Sequence, residues 1–121
     1  MNYHVEVQCL SDIGLVRQNN EDSCKMLQEE QFYALCDGMG GHQAGEVASR
    51  ETVNLICDLF QKRCDFFKDF APIKEYMKKL IQEVNGSIFR MSREQPELRG
   101  MGTTLCCVYL HPEGLVYGHV G

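Results

Sequence analysis

No apolar run in this chain approaches the ~18 residues that a membrane-spanning helix requires. The amino terminus, Met-Asn-Tyr-His-Val-Glu, has neither the basic region nor the apolar stretch of a secretory signal, so the default address is the cytoplasm. Basic charge is in short supply. Twelve Lys and Arg face seventeen Asp and Glu, for a net charge of −5, which argues against broad electrostatic binding to nucleic acid or to an anionic membrane. Paired cysteine motifs are missing. The seven cysteines (Cys9, Cys24, Cys36, Cys57, Cys64, Cys106 and Cys107) are odd in number and include no Cys-x-x-Cys. That pattern suits neither a zinc site nor the disulfide framework of a short secreted chain. Most lie in apolar stretches, where a free thiol behaves as a small hydrophobe, and reduced cysteines are expected. Internal repeats and low-complexity segments are also lacking.

The 121 residues suffice for one domain, and a hydrophobic content of 44% supplies a core. Residues 3–9 alternate apolar and polar, the pattern of a half-buried strand. Residues 11–22 are polar and read as a loop. Residues 23–28 and 32–36 form a hairpin across Glu29-Glu30-Gln31, and a glycine-rich loop follows Asp37-Gly38. From Ala44 the period becomes helical, with Ala48, Thr52, Leu55, Ile56 and Leu59 on one stripe. A second helix begins at Pro72 and carries Ile73, Met77, Leu80, Ile81, Val84, Ile88 and Met91 at helical spacing. Residues 103–110 and 114–120 are two further strands, joined by His111-Pro112-Glu113-Gly114. Short connections make the sheet mainly antiparallel, in an α+β layer structure. A strand pair at the end of the chain leaves an open sheet edge, so the sequence reads as unfinished.

Four segments carry the chemistry: residues 11–23, Cys36-Asp37-Gly38-Met39-Gly40-Gly41-His42, Gly102-Thr103-Thr104-Leu105, and Gly118-His119-Val120-Gly121. Asp37 stands where a buried strand opens into a loop with three glycines in four positions. A sheet can hold such a carboxylate rigidly, and glycine lets a backbone carbonyl approach an ion closely. Hard cations such as Mg²⁺ and Mn²⁺ favour oxygen ligands of these kinds. Glu21 and Asp22 supply further carboxylates one loop earlier. Arg17 precedes them, and a guanidinium grips phosphate through two parallel hydrogen bonds. Carboxylates for metal and an arginine for phosphate are the parts of metal-assisted phosphoryl transfer. Taken alone, Asp37-Gly38 is equally a turn, and Arg17 with Glu21 equally a surface ion pair.

The ordered set Arg-x-x-Asn-Glu-Asp, Asp-Gly-Met-Gly-Gly, Gly-Thr-Thr and Gly-His-Val-Gly resembles the early motifs of bacterial PP2C (PPM) family protein serine/threonine phosphatases. The likeness runs over essentially the whole chain. It implies a four-layer α-β-β-α sandwich with mainly antiparallel sheets, of which residues 1–121 are the N-terminal half, supplying part of each sheet. It implies that Arg17 binds the substrate phosphate and that Asp37 bridges two divalent cations, Mn²⁺ or Mg²⁺. The Gly38 carbonyl and Glu21 would be further ligands, and Asp22 would orient water beside the metals. Met39 stands where many eukaryotic members have a histidine, which fits the bacterial type. Gly102, Thr103 and Thr104 would support the sheet near the site. The implied reaction is hydrolysis of phosphoserine or phosphothreonine in proteins by a metal-activated water, without a covalent intermediate. Its partners would be phosphorylated proteins, substrates of a serine/threonine kinase, with no nucleic acid and no membrane. The family's remaining metal aspartates belong to the second half, and here no Asp follows Asp69. The isolated segment is therefore expected to be inactive and the full reading frame active. A non-catalytic relative that binds partners through the same fold is the alternative.

Competing motifs fare less well. Cys57 to Arg63 matches the bare Cys-x5-Arg spacing of cysteine phosphatases, but it has no glycine and lies late in a helical stripe, where no backbone cradle forms. Gly38-Met39-Gly40-Gly41 lacks the lysine of a nucleotide-binding loop. His42 is read as a loop hydrogen-bonding residue. His4, His111 and His119 are read as structural or surface residues, and Lys74, Lys78 and Lys79 as a solvated helix face.

Overall fold

The computed structural model describes residues 4–41 and 43–121. Helix α1 spans Ala44–Lys62 and α2 spans Ile73–Glu94. The stripe expected on α1 is the buried one: Ala48, Thr52 and Ile56 are buried, while Leu55 and Leu59 pack partly buried against the core. On α2 the buried residues Ile73, Met77, Leu80, Val84 and Ile88 recur every three to four positions, as a helix lying on a sheet demands. Pro72 occupies the N-cap of α2. Lys74, Lys78 and Lys79 are exposed on its far side.

Both helices cover one face of an open antiparallel sheet. Its strands are β1 (Asp22–Leu27), β2 (Phe32–Met39), β3 (Gly102–Thr103), β4 (Leu105–His111) and β5 (Gly114–Val120). The order is β1-β2-β4-β5, with β3 paired to the end of β2. Side chains alternate across a strand. Phe32, Ala34 and Cys36 of β2 and Leu105 and Cys107 of β4 therefore face the helices and are buried. Leu35, Leu115 and Tyr117 lie on the opposite face and are exposed. The centre of the core is aromatic. Phe60 of α1 stacks on Phe32 with ring centroids 4.2 Å apart, and meets Phe67 at 4.7 Å and Tyr109 at 5.0 Å.

The structure departs from the sequence reading in three places. Residues 4–10 form no strand, and Tyr3 lies outside the described residues. A strand needs a neighbour for its backbone groups, and none of the described strands pairs with this arm, so the described residues build one sheet rather than part of two. Val7 and Cys9 are half-buried between exposed neighbours, which is the source of the misleading alternation. Second, Cys9 is joined to Cys24 of β1 as a disulfide, with Cα atoms 6.1 Å apart, so the expectation of seven free thiols fails for this pair. Cys36, Cys57, Cys64, Cys106 and Cys107 remain free. Third, β2 does not stop at Cys36 but runs through Asp37 and Gly38 to Met39, because β3 offers it a ladder there.

Candidate active site

The extension of β2 creates the site. Asp37 lies directly opposite Asp22 in the β1–β2 register, so the two carboxylates share one face at the end of the strand pair. Asp37 is fixed from the other side by Thr104. The Asp37 N–H donates to Thr104 Oγ1 at 3.0 Å, and the Thr104 N–H donates to the Asp37 carbonyl at 2.9 Å. Gly38 and Met39 pair with Thr103 and Gly102. The Gly-Thr-Thr segment is thus the clamp that holds Asp37 in strand geometry.

Glu21 enters from the loop before β1. Its carbonyl accepts the Gly38 N–H at 2.8 Å. Its carboxylate lies against Gly45 in the first turn of α1, where a Cβ would stand 2.7 Å from the carboxyl carbon. A helix start favours negative charge. Gly38 is equally confined, since a Cβ there would overlap the Gly45 carbonyl oxygen. Backbone and carboxylate can approach this closely only because both positions are glycine. Gly40 and Gly41 then turn the chain into α1 with φ of 137° and 68°, values that side chains rarely adopt. His42 lies outside the described residues.

Arg17 sits exposed in the loop before Glu21, near enough to Asp22 for its charge to lower that carboxyl's pKa. The net shift of Asp22 is nevertheless upward. Partial desolvation is the largest cause, followed by the Asp37 charge and the hydrogen bond to Asp37. Two carboxylates crowded in this way call for a cation between or beside them. Asn20 holds the approach: its Oδ1 accepts the Asp22 N–H at 3.0 Å and its Nδ2 donates to Ser11 Oγ at 2.7 Å. The side-chain oxygens of Glu21, Asp22 and Asp37 are donors of the kind that a hard divalent ion takes. Among the described residues no three His, Cys, Asp or Glu side chains are grouped to hold a metal ion.

The family profile described as Protein phosphatase 2C matches residues 16–121. The chain belongs to the protein phosphatase 2C family. It is 35% identical over 114 residues to the serine/threonine phosphatase stp of Listeria monocytogenes, covering 92% of this chain and 45% of that relative. A bacterial serine phosphatase bearing an R161E mutation superposes with a TM-score of 0.87 at 30% identity, covering 99% of this chain and 55% of that one. The catalytic domain of the phosphatase PstP, solved in complex with two manganese ions, superposes at 0.74 with 35% identity, covering 91% and 45% respectively. The chain thus spans about half the length of such relatives. Its open antiparallel sheet and two helices are a partial PP2C α+β fold.

The competing motifs dissolve in the structure of this PP2C chain. Cys57 is buried inside α1, and burial pushes its thiol up to about 11, the opposite of an activated nucleophile. Arg63 is engaged with Glu83 of α2. The His111 ring meets the Lys68 carbonyl at 2.6 Å, a structural tie. Sequence reasoning did not anticipate Gly45, which has no partner motif nearby, nor the side-chain bond from Thr104 to Asp37.

Proposed function

We propose that the complete protein containing this chain hydrolyses phosphoserine and phosphothreonine in proteins, opposing a serine/threonine kinase in the cytoplasm. Residues 1–121 would be the N-terminal half of one PP2C-type domain. The carrying observation is the Asp22–Asp37 pair across the end of two strands, with Arg17 beside it. Asp37, the Gly38 carbonyl and Glu21 would hold two divalent cations, Mn²⁺ or Mg²⁺. When bound, those cations would supply an activated water and neutralise charge developing on the phosphoryl group. Arg17 would grip the substrate phosphate from its exposed loop. Asp37 is kept in place by the Thr104 clamp, and Asp22 accepts a hydrogen bond from the attacking water. The disulfide Cys9–Cys24 is uncommon for a cytoplasmic chain, and the five remaining thiols are the norm there.

The test is phosphate release from a phosphothreonine peptide by the full-length protein, with Mn²⁺ and with EDTA. Turnover should require Mn²⁺ and fall about a thousandfold or more in Asp37→Asn, the scale of losing several kcal/mol of charge stabilisation. Arg17→Ala should raise KM more than it lowers kcat. Turnover that survives EDTA and Asp37→Asn would overturn the reading. A full-length protein that binds no Mn²⁺ would be assigned to the partner-binding alternative. Residues 1–121 alone should release no phosphate, and turnover by that segment would refute this part.

A further inference from the structure

We propose that the open cleft between α1 and the C-terminal end of α2 is where the substrate protein docks beside its phosphoresidue, and that Glu51 and Glu97 select a lysine or arginine there. The proposal rests on the hydrolytic reading above and adds a substrate preference to it. The cleft measures about 960 Å³, within the roughly 300–1,000 Å³ of ligand-binding clefts. It adjoins the candidate site. Asn19, on its wall, lies two residues from Arg17 and two from Glu21. Ala44, also on its wall, precedes the Gly45 against which the Glu21 carboxylate rests.

The lining suits a basic side chain, which has a long apolar stem and a charged head. Val47 of α1, Met91 of α2 and Leu98 of the turn Pro96–Leu98 give the cleft an apolar wall for the stem. Glu51 and Glu97 give it carboxylates for the head. Arg50 also lines the cleft, but it already faces Glu46 at 3.9 Å and Glu51 at 3.6 Å, so an acidic ligand would compete with two carboxylates. Glu97 is exposed and has no ion-pair partner among the described residues. Gln43 and Gln95 border the cleft with carboxamides, which donate and accept hydrogen bonds as an extended peptide backbone requires. Position follows from helix geometry. Glu51 stands six residues past Gly45, about 9 Å along the axis at ~1.5 Å per residue. About three extended residues cover that distance. The selected residue therefore lies about three positions from the phosphoresidue.

The experiment compares three phosphothreonine peptides as substrates of the full-length protein with Mn²⁺. They are identical except that the residues three positions before and after the phosphothreonine are arginine, alanine or glutamate. p-Nitrophenyl phosphate, which has no flanking residues, reports the hydrolytic site alone. At low salt KM should be about fivefold lower for the arginine peptide than for the glutamate peptide, the scale of an exposed ion pair, with kcat unchanged. The gap should shrink at about 1 M salt, where exposed charges are screened. The double variant Glu51→Gln/Glu97→Gln should lose the preference and keep wild-type turnover of p-nitrophenyl phosphate. Equal KM for the three peptides with normal turnover of the small ester overturns the docking assignment and leaves the hydrolytic reading standing. A preference that is insensitive to salt, or that persists in the double variant, does the same. Absence of Mn²⁺-dependent turnover of p-nitrophenyl phosphate overturns both.

Discussion

At Phe32, the strand β2 is sealed. Phe32 is fully buried and stacked on Phe60, with Phe67 and Tyr109 closing the cluster. At Asp37–Met39, the same strand exposes Asp37 and Met39 on either side of a buried Gly38, is hydrogen-bonded to β3, and sets Asp37 opposite Asp22 of β1. One end maximises apolar burial. The other end accepts like-charge crowding and forgoes a side chain at Gly38. The difference separates duties along one element: the aromatic end supplies stability that lets the acidic end tolerate crowded like charges. This division is what rigid placement of a functional site on a strand requires. It also says how each end should respond when altered.

The sharpest way to separate the ends is Phe60→Ala. It removes a ring that touches Phe32, Phe67 and Tyr109 at once. Stability to urea should fall by about 3–5 kcal/mol. Below the lowered melting temperature, Mn²⁺ affinity of the full-length protein, read by calorimetry, should stay within experimental error. A parallel loss of metal affinity would show that the two ends are not independent.

Gly38→Ala should break the comparison from the other side. The new methyl meets the Gly45 carbonyl and lies 2.9 Å from the Glu21 carbonyl, both backbone atoms that cannot swing aside. Overpacking of this kind costs about 1–3 kcal/mol. Here the loss should be coupled to function, with Mn²⁺ affinity reduced about 10- to 100-fold, the usual effect of disturbing groups that orient ligands. Denaturation and calorimetry on one sample read both. Wild-type metal affinity in a destabilised Gly38→Ala would remove Gly38 and Glu21 from the site.

How much of this was legible differs between the same two ends. The helices declare themselves because Ile73, Met77, Leu80, Val84 and Ile88 repeat at a period that nothing else produces, and the structure places α2 over Ile73–Glu94. Alternation within a strand reveals a face but not a partner. That is why residues 3–9 looked like a strand that residues 4–10 do not form, and why β2 looked finished at Cys36 when Gly102–Thr103 extends it. The residue types at the site were readable as an oxygen-rich set, Glu21, Asp22, Asp37 and the Gly38 carbonyl, with one arginine, Arg17, before it. Their meeting was not. The Asp22–Asp37 register is fixed by the hairpin, the Asp37–Thr104 bonds span 67 residues, and the Glu21–Gly45 contact depends on how α1 lies on β1. Long-range approaches between backbone atoms leave no periodic trace in a sequence. The same holds for Cys9–Cys24, which no spacing rule would pair.

The smallest effect tests whether the acidic end really sacrifices stability. Asp22→Asn keeps the size of the side chain and removes one of two like charges directly opposite each other, an arrangement that costs about 0.2–1 kcal/mol in a sheet. The sign with pH follows from the upward shift of Asp22 in the folded chain. A carboxyl that holds its proton more tightly when folded favours the native state at low pH. That advantage disappears as pH rises from the ordinary value of 3.8 through the raised folded one. The advantage of Asp22→Asn over wild type should therefore be near zero below that window and reach its full size above it. Measured as a difference between the two proteins, the effect is separated from the titration of other carboxylates. Mn²⁺ should then reverse the ranking, because the wild-type pair gains more from a cation than the neutralised one does. A difference that does not change with pH would mean that Asp22 and Asp37 are neighbours without electrical consequence, and the acidic end would lose its claim to be built for a cation.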